Sequence, residues 1–590
     1  MGTVIRRAVA APAAVRRAGT AGPAQAARAV PALAGLALGA LALGPGLRRG
    51  FLLSYDMVVV PRQPFTPAMA GLGGGPPRAV PSDAVVAVAS RVLPADLVQK
   101  LLLLSIFTLA CSGAAALLAR EPWFARLAAG LFYAWNPFVA ERLIIGQWAL
   151  LLGYAGLPWA LRAAATGTVA SWRGAGRLGV ALLPAIVGGF AAMSVTALVV
   201  LPAAILARPP GVPDTTRRPV ATPSGNAATT TDEAARRRAG ERARAGLAAL
   251  GVLTVGSLPW LIPSLARAVY ADPAGVAAFA AGADTPFGTL GSLVMLGGMW
   301  NAQAVPAGYG GWWSVLWLAL VLAAAAGYVA FGVRRHRWPG LAVAAVTGLV
   351  IASLGVTAPG RDLLRSLGGS WPGFAVLRDG QQFIAPLALA EALGAGLLVA
   401  RAARPRGSPA PREGGAGTRA DRAGLVTVVV VLLLAPVLLL PGLAWGAAGR
   451  LRPAWYPSTW LNAARLIDDS RAPGKVLLLP WTAYRRPAWN GGRAMLDPWP
   501  RLLSRPVIWN DGPQVGTVQM RPDDPDARRL AAVVTAPGPL TTALAAAGVR
   551  FVIVDSGTGG PGTSGTGAAR LPGCAVVATA PGLVVYRVPS

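Results

Sequence analysis

Long apolar runs alternate with short, arginine-rich polar segments along most of the chain. Since about 20 apolar residues cross a bilayer as a helix, each run predicts a membrane span. The run at 178–207 is too long for one helix, and the small and polar residues of "GGFAAMSVT" predict a turn, so we expect a hairpin of two short helices. About eleven spans follow from ten runs near 30–48, 98–119, 124–140, 147–164, 178–207, 246–266, 312–333, 340–357, 382–402 and 424–445.

The positions of the arginines predict the orientation of these spans, because short basic loops stay on the cytoplasmic side. The basic segment 1–29 is therefore expected in the cytoplasm, ahead of an uncleaved first span. Two low-complexity segments, 208–245 and 403–423, are predicted to be disordered cytoplasmic loops. With eleven crossings, the C-terminus lies outside the cell.

The last part of the chain has a different pattern, with short apolar runs that suit a globular domain. The segment "TWLNAARLIDD" predicts a helix, "GKVLLLPW" and "VRFVIVDS" predict buried strands, and "GCAVVATAPGLVVYRV" predicts a hairpin. The expected fold is thus a polytopic α-helical membrane protein. Its transmembrane domain covers 30–445, and an extracytoplasmic α/β domain covers 446–590.

Composition supports an integral membrane protein, with 54% hydrophobic and 13% charged residues in 590. The net charge of +30 comes almost entirely from arginines between the apolar runs, which indicates topology and not nucleic-acid binding. One histidine and two distant cysteines exclude a His/Cys zinc set and a Ser-His-Asp triad. Any chemistry must therefore depend on carboxylates and arginines.

Carboxylates and arginines gather at the ends of spans on the predicted outer face. Asp56 lies about eight residues beyond the first span. Glu141 and Arg142 fall between spans three and four, where we expect them in a short outer turn or in the wall of a wet cavity. Arg378 and Asp379 precede span ten. Guanidinium groups bind phosphate and a positioned carboxylate accepts a proton from a hydroxyl, so a lipid-linked sugar would suit this set. The alternative is that the adjacent charges only neutralise each other at helix ends.

Three segments, "SYDMVVVPRQPFTP", "NPFVAERLIIGQWALLLGYAGLPW" and "LRDGQQF", carry a family resemblance. They resemble the N-terminal membrane region of actinobacterial arabinofuranosyltransferases, which belong to the GT-C class of polyprenyl-phosphate-sugar-dependent glycosyltransferases. The resemblance implies that Asp56 is the catalytic base, and that Arg142, oriented by Glu141, and Arg378 hold the lipid phosphate. Relatives often carry a lysine where this chain has Gln382. The further candidates for substrate binding are Asp379, Gln382, Arg62 and Asn136.

The expected function is transfer of a sugar, with arabinofuranose or mannose as options, from a polyprenyl-phosphate donor to a cell-envelope glycan or glycolipid on the outer face. Two alternatives stay open: a transporter or flippase of a lipid-linked precursor, and an inactive relative that acts as a scaffold. A divalent cation, Mg or Mn, held by Asp56 and Asp83 is a further option, although Asp83 also suits a helix cap.

Overall fold

The membrane part of the chain is a bundle of helices. The structure, a computed structural model, describes residues 23–207, 227–266, 272–403, 417–555 and 569–589. Its helices up to residue 449 are α1 Pro23–Leu43, α2 Ser82–Ala89, α3 Ala95–Leu117, α4 Trp123–Ala134, α5 Pro137–Ile144, α6 Trp148–Ala164, α7 Trp172–Ile205, α8 Ala227–Ala266, α9 Gly275–Ala278, α10 Gly288–Val294, α11 Trp313–Phe331, α12 Pro339–Leu354, α13 Ala358–Ser370, α14 Ala385–Ala402, α15 Gly417–Leu439 and α16 Ala444–Gly449.

Six segments of the described part are long and apolar enough to cross a membrane. They are Ala29–Leu47, Ala95–Leu117, Trp172–Ile205, Ala235–Ala266, Trp313–Arg335 and Gly380–Ala402. Two sharply bent helix pairs, α12 with α13 and Val429–Leu439 with Pro441–Gly449, raise the count to eight if each pair is one span. A multi-pass helical fold is therefore shown, while the predicted count of eleven spans is not confirmed.

The predicted hairpin at 178–207 is present within α7. Gly189, with φ 76° and ψ −153°, interrupts the helical backbone. A Cβ atom on Gly153 of α6 would lie 2.5 Å from the Ala192 Cβ and 3.5 Å from the Ala185 Cα. A straight helix would separate positions 185 and 192 by about 10 Å along its axis. Both can adjoin Gly153 only because the chain reverses near Gly189.

The expected span at 124–140 is in fact two short helices, α4 and α5. The side-chain oxygen of Asn136 accepts a hydrogen bond from the Val139 amide at 3.1 Å, and Pro137 occupies the first turn, so a new helix begins there. As a result, Glu141 and Arg142 lie inside α5 and are both 0% exposed. The prediction that they occupy an outer turn is wrong.

The two predicted disordered loops are only partly tested. Residues 208–226 and 404–416 lie outside the described residues, as does most of the basic segment 1–29. The remainder of each loop is helical, because α8 begins at Ala227 and α15 at Gly417. The run "AARRRAGERARAGLAAL" is rich in alanine and arginine, two strong helix formers, which explains why the helix extends into the polar segment.

The C-terminal part contains a five-stranded sheet with the strand order β10-β11-β9-β3-β6. The central strands β3 and β9 are parallel, with Leu477 opposite Val552, and β10 and β11 form the predicted hairpin. The strands of the described residues are β1 Phe51–Leu52, β2 Pro453–Ala454, β3 Lys475–Leu479, β4 Tyr484–Arg485, β5 Met495–Leu496, β6 Val507–Ile508, β7 Gln514–Val515, β8 Val518–Gln519, β9 Val549–Asp555, β10 Ala575–Ala580 and β11 Leu583–Arg587. The helices are α17 Ser458–Asp469, α18 Trp499–Leu502, α19 Pro525–Thr535 and α20 Thr541–Ala546.

The C-terminal part packs directly on the segment that follows the first helix. Strand β1 pairs with β2, which places Phe51 opposite Ala454. An ion pair joins Arg501 to Asp83 at 2.9 Å. These contacts bring residues from opposite ends of the chain to one surface of the helical bundle, where a cavity opens.

Candidate active site

A cavity of about 670 Å³ lies where the segment after α1, the start of α6, the segment before α14 and the C-terminal part meet. Helices α6 and α7 contribute apolar residues to its wall, and charged residues come from the segment after α1, the segment before α14 and the C-terminal part. The polar and aromatic residues that line it include Asp56, Arg78, Asp83, Gln147, Trp260, Trp300, Arg378, Asp379, Gln382, Tyr484, Arg501, Asp511 and Asp523.

Asp56 is held in the cavity wall from three sides. Its backbone amide donates to the carbonyl of Ile145 at 3.0 Å. The Tyr484 hydroxyl donates to Oδ1 at 2.6 Å, and the side-chain amide of Gln147 lies at the limit of hydrogen bonding from Oδ2, at 3.5 Å. The carboxylate is therefore fixed at Oδ1 and more weakly engaged at Oδ2.

The surroundings of Asp56 favour a carboxylate that accepts protons readily. Burial raises the pKa of Asp56 above the usual range of an aspartate, and the hydrogen bonds from Tyr484 and Gln147 oppose this rise. The positive charges of Arg78 and Arg501 also lower the pKa, with smaller effects. A carboxylate with a raised pKa is a better general base than an exposed one.

Arg378 contributes a guanidinium to the cavity wall. It ends the 3₁₀ helix Pro372–Arg378, and its Cζ lies 4.9 Å from the centre of the Phe279 ring. Among the described residues its guanidinium has no hydrogen-bond acceptor. Burial, followed by the charge of Arg78, lowers the pKa of Arg378 to about 10, so it stays cationic at neutral pH. Such a group suits an anionic ligand.

Arg142 differs from Arg378 because all of its donors are used inside the protein. Its two terminal nitrogens donate to the Asp379 carboxylate at 2.7 and 3.0 Å, and its Nε donates to Gln381 at 2.8 Å. The remaining two donors bond to Gln147 and again to Gln381. Gln381 in turn donates to Glu141 at 3.1 Å. This buried network holds Asp379 and Gln147, whose side chains line the cavity.

The other predicted site residues have mixed positions. Gln382 and Asp83 line the cavity; the Gln382 amide donates to the carbonyl of Val376 at 2.7 Å. Asn136 is fully buried at the start of α5, and Arg62 is exposed and outside the cavity wall. Of the predicted set, the structure therefore brings together Asp56, Asp83, Arg378, Asp379 and Gln382.

Several cavity residues were not predicted as site residues from the sequence. Tyr484 and Arg501 belong to the C-terminal part, and Tyr484 contacts Asp56 across 428 residues of chain. No local pattern links such distant positions. Gln147 could have been identified from the sequence, because it is a lone amide inside the apolar run "LIIGQWALLLG".

The carboxylates near Asp56 do not form a divalent-cation site. Asp83 accepts two hydrogen bonds from Arg501, at 2.9 and 3.4 Å, and Asp56 is bonded to Tyr484. Within the described ranges, no group of three or more His, Cys, Asp or Glu side chains could hold a metal ion. Since divalent ions of this type prefer several oxygen ligands, Asp56 and Asp83 alone do not fit the metal option.

The fold and the cavity define a multi-pass membrane protein whose polar site lies between a helical bundle and the C-terminal part of the chain. The same fold occurs in solved structures of the arabinofuranosyltransferase AftD from Mycobacteria. A mutant form of AftD superimposes with a TM-score of 0.55 at 16% identity, and a second AftD structure gives 0.51, also at 16% identity. The matches cover 95% of this chain.

The predicted likeness is thus confirmed for the fold. The chain spans about two fifths of the length of AftD, 41% and 40% in the two structures. A comparison with protein-family models found no match, and neither did a search of curated proteins.

Proposed function

We propose that this protein is a membrane glycosyltransferase that moves a sugar from a polyprenyl-phosphate donor to a cell-envelope glycan or glycolipid. Arabinofuranose is the favoured sugar, because the fold is that of an arabinofuranosyltransferase. Mannose is the second option. We propose that the protein lies in the plasma membrane and that the site opens on its outer face, a side that the arginine distribution favours.

One observation carries this proposal: Asp56, a half-buried carboxylate, and Arg378, a guanidinium without a hydrogen-bond acceptor among the described residues, face the same cavity beside the helical bundle. Asp56 would take the proton of the acceptor hydroxyl as its oxygen attacks the anomeric carbon. The bond between that carbon and the phosphate oxygen breaks, and the lipid phosphate leaves with its charge balanced by Arg378. The acceptor oxygen is itself the nucleophile, so this transfer requires no nucleophilic side chain from the protein.

The geometry changes the role proposed for Arg142. All five of its N–H groups donate to protein acceptors, so none is left for a phosphate. We assign phosphate binding to Arg378. The other two cations that line the cavity, Arg78 and Arg501, are paired with Asp523 and Asp83 respectively. Arg142 and Glu141 then support the site through Asp379, Gln381 and Gln147.

Linkage analysis of envelope glycans tests this function. A deletion strain is complemented in parallel with the wild-type chain, Asp56→Asn and Asp362→Asn, at matched membrane abundance. Asp362 is an exposed carboxylate on α13 that pairs with Arg365, so it controls for the loss of one carboxylate. We expect the wild type and Asp362→Asn to restore a missing linkage, and Asp56→Asn to restore less than a hundredth of it, since a general base contributes about 10²–10⁴-fold.

Two results would contradict the proposal. If Asp56→Asn restores the linkage as well as the wild type does, Asp56 is not the base and the scaffold alternative gains support. If the deletion changes no linkage but an undecorated lipid-linked precursor accumulates, the transporter alternative is favoured.

A further inference from the structure

The segment that carries Asp56 is attached to the C-terminal part by backbone hydrogen bonds. The amide of Tyr55 donates to the carbonyl of Ala494 at 2.8 Å, and the amide of Leu496 donates to the carbonyl of Tyr55 at 2.7 Å. The Asn490 side chain donates to the carbonyl of Leu53 at 3.3 Å. Strand β5 of the C-terminal part therefore flanks the residue directly before Asp56.

Tyr484 is carried by the strand that pairs with β5. In the β4–β5 hairpin Tyr484 lies opposite Leu496, the same residue that bonds to Tyr55. The rings of Tyr484 and Tyr55 are in edge contact, with centroids 5.9 Å apart. Backbone pairing and ring contact together fix the phenol, whose hydroxyl donates to the Asp56 Oδ1 at 2.6 Å. This is the shortest contact to the carboxylate.

We propose that Tyr484, from the C-terminal part, is a positioning residue for the reaction. Its hydroxyl holds Oδ1 of Asp56, so that Oδ2, whose nearest donor among the described residues is 3.5 Å away, is directed toward the acceptor hydroxyl. The active site is then incomplete without the C-terminal part. This inference rests on the proposed function, because it assigns a partner to the proposed base.

The cations around Asp56 are already paired with other carboxylates, so the effect of the Tyr484 hydroxyl on Asp56 can be tested separately. The cations that act on the carboxylate are Arg78 and Arg501, and each already has an acidic partner, Asp523 and Asp83 respectively. Removal of the Tyr484 hydroxyl leaves these pairs intact. Since that hydrogen bond favours the ionised carboxylate, its loss raises the pKa of Asp56 further.

The test is a direct titration of Asp56 in the purified full chain. A water-soluble carbodiimide with glycine ethyl ester amidates protonated carboxyls, and peptide mass spectrometry follows the modification of Asp56 against pH. For Tyr484→Phe we expect the midpoint to rise by about one pH unit, the size of one hydrogen bond to a charged group. Tyr55→Phe is the matched control, because the Tyr55 hydroxyl donates to Gln303 and not to Asp56.

Complementation of the deletion strain is measured with the same variants. We expect Tyr484→Phe to restore less of the linkage than the wild type, with a larger deficit at acidic external pH. An unchanged midpoint in Tyr484→Phe, or an equal shift in Tyr55→Phe, would overturn the inference. Full restoration by Tyr484→Phe at every pH would also overturn it. The result with Asp56→Asn is independent, so the proposed function can stand even where this inference fails.

Discussion

At the scale of single residues, Arg142 and Arg378 have different proposed roles. Arg142 supports the structure of the site, and Arg378 binds the phosphate. Arg142 is fully buried and bonded to Asp379, so Arg142→Ala would leave that carboxylate without its partner. Loss of one member of a buried ion pair costs about 3–5 kcal/mol. We expect a clearly lower apparent melting temperature for Arg142→Ala in detergent, measured by fluorescence-detected size-exclusion chromatography after heating.

Arg378→Ala should behave in the opposite way, because Arg378 has no hydrogen-bond acceptor among the described residues. Its melting temperature should stay near that of the wild type. Binding of farnesyl phosphate, measured by titration calorimetry, should weaken about 10–100-fold, since a hydrogen bond to a charged group contributes about 1.5–3 kcal/mol. Arg365→Ala, at an exposed pair on α13, is the control. Unchanged farnesyl phosphate binding by Arg378→Ala would argue against its phosphate role.

At the scale of elements, the reversal within α7 depends on Gly189. Its φ of 76° with ψ of −153° is a backbone region that is almost restricted to glycine, and a Cβ there would lie 2.7 Å from the carbonyl oxygen of Val80. Gly189→Ala should therefore cost about 1–3 kcal/mol and lower the apparent melting temperature. Gly251→Ala in α8, with open space around its Cβ position, should leave the temperature unchanged or slightly higher. Equal melting temperatures for the two variants would show that the turn tolerates a side chain.

The elements also show what a single sequence can predict. Strands β3 and β9 and helix α17 agree with the prediction because each pattern is local: an apolar run for the buried strands, an amphipathic repeat for the helix. The break at Asn136 was missed because α4 and α5 are both apolar and together have the length of one span. Apolar side chains suit both a protein interior and the lipid of a bilayer. Hydropathy alone therefore does not distinguish two short buried helices from one membrane span.

The site could be predicted only where its residues lie near membrane spans. Asp56, Arg378 and Asp379 were predicted because charges at span ends stand out against apolar sequence. Arg142 stood out in the same way, yet its role depends on Gln381 and Asp379, which only the packing of α5 against the segment before α14 brings together. The segment around Tyr484, "WTAYRRPAW", has no pattern that marks a site, and the position of Tyr484 opposite Asp56 is a property of the tertiary fold.

At the scale of the whole molecule, contacts constrain which segments share one side of the membrane. The pairs Tyr484–Asp56 and Arg501–Asp83 place the C-terminal part on the same side as the segment after α1. Helix α8 connects this side to the other: Trp260 lines the cavity, while Arg236 to Arg238 are exposed near the opposite end. The distance from residue 239 to residue 260 is roughly 30 Å along a helix, which equals the thickness of the hydrocarbon core.

This geometry predicts the orientation of the protein, because basic segments stay in the cytoplasm. In a Cys111→Ala, Cys574→Ala background, we expect Ser458→Cys, exposed on α17, to react with a membrane-impermeant maleimide in intact cells. Ala239→Cys, exposed on the basic end of α8, should react only after permeabilisation. The cysteine-free chain is the control. Labelling of Ala239→Cys but not Ser458→Cys in intact cells would reverse the orientation, and the cavity with Asp56 would then open to the cytoplasm, where envelope glycans cannot reach it.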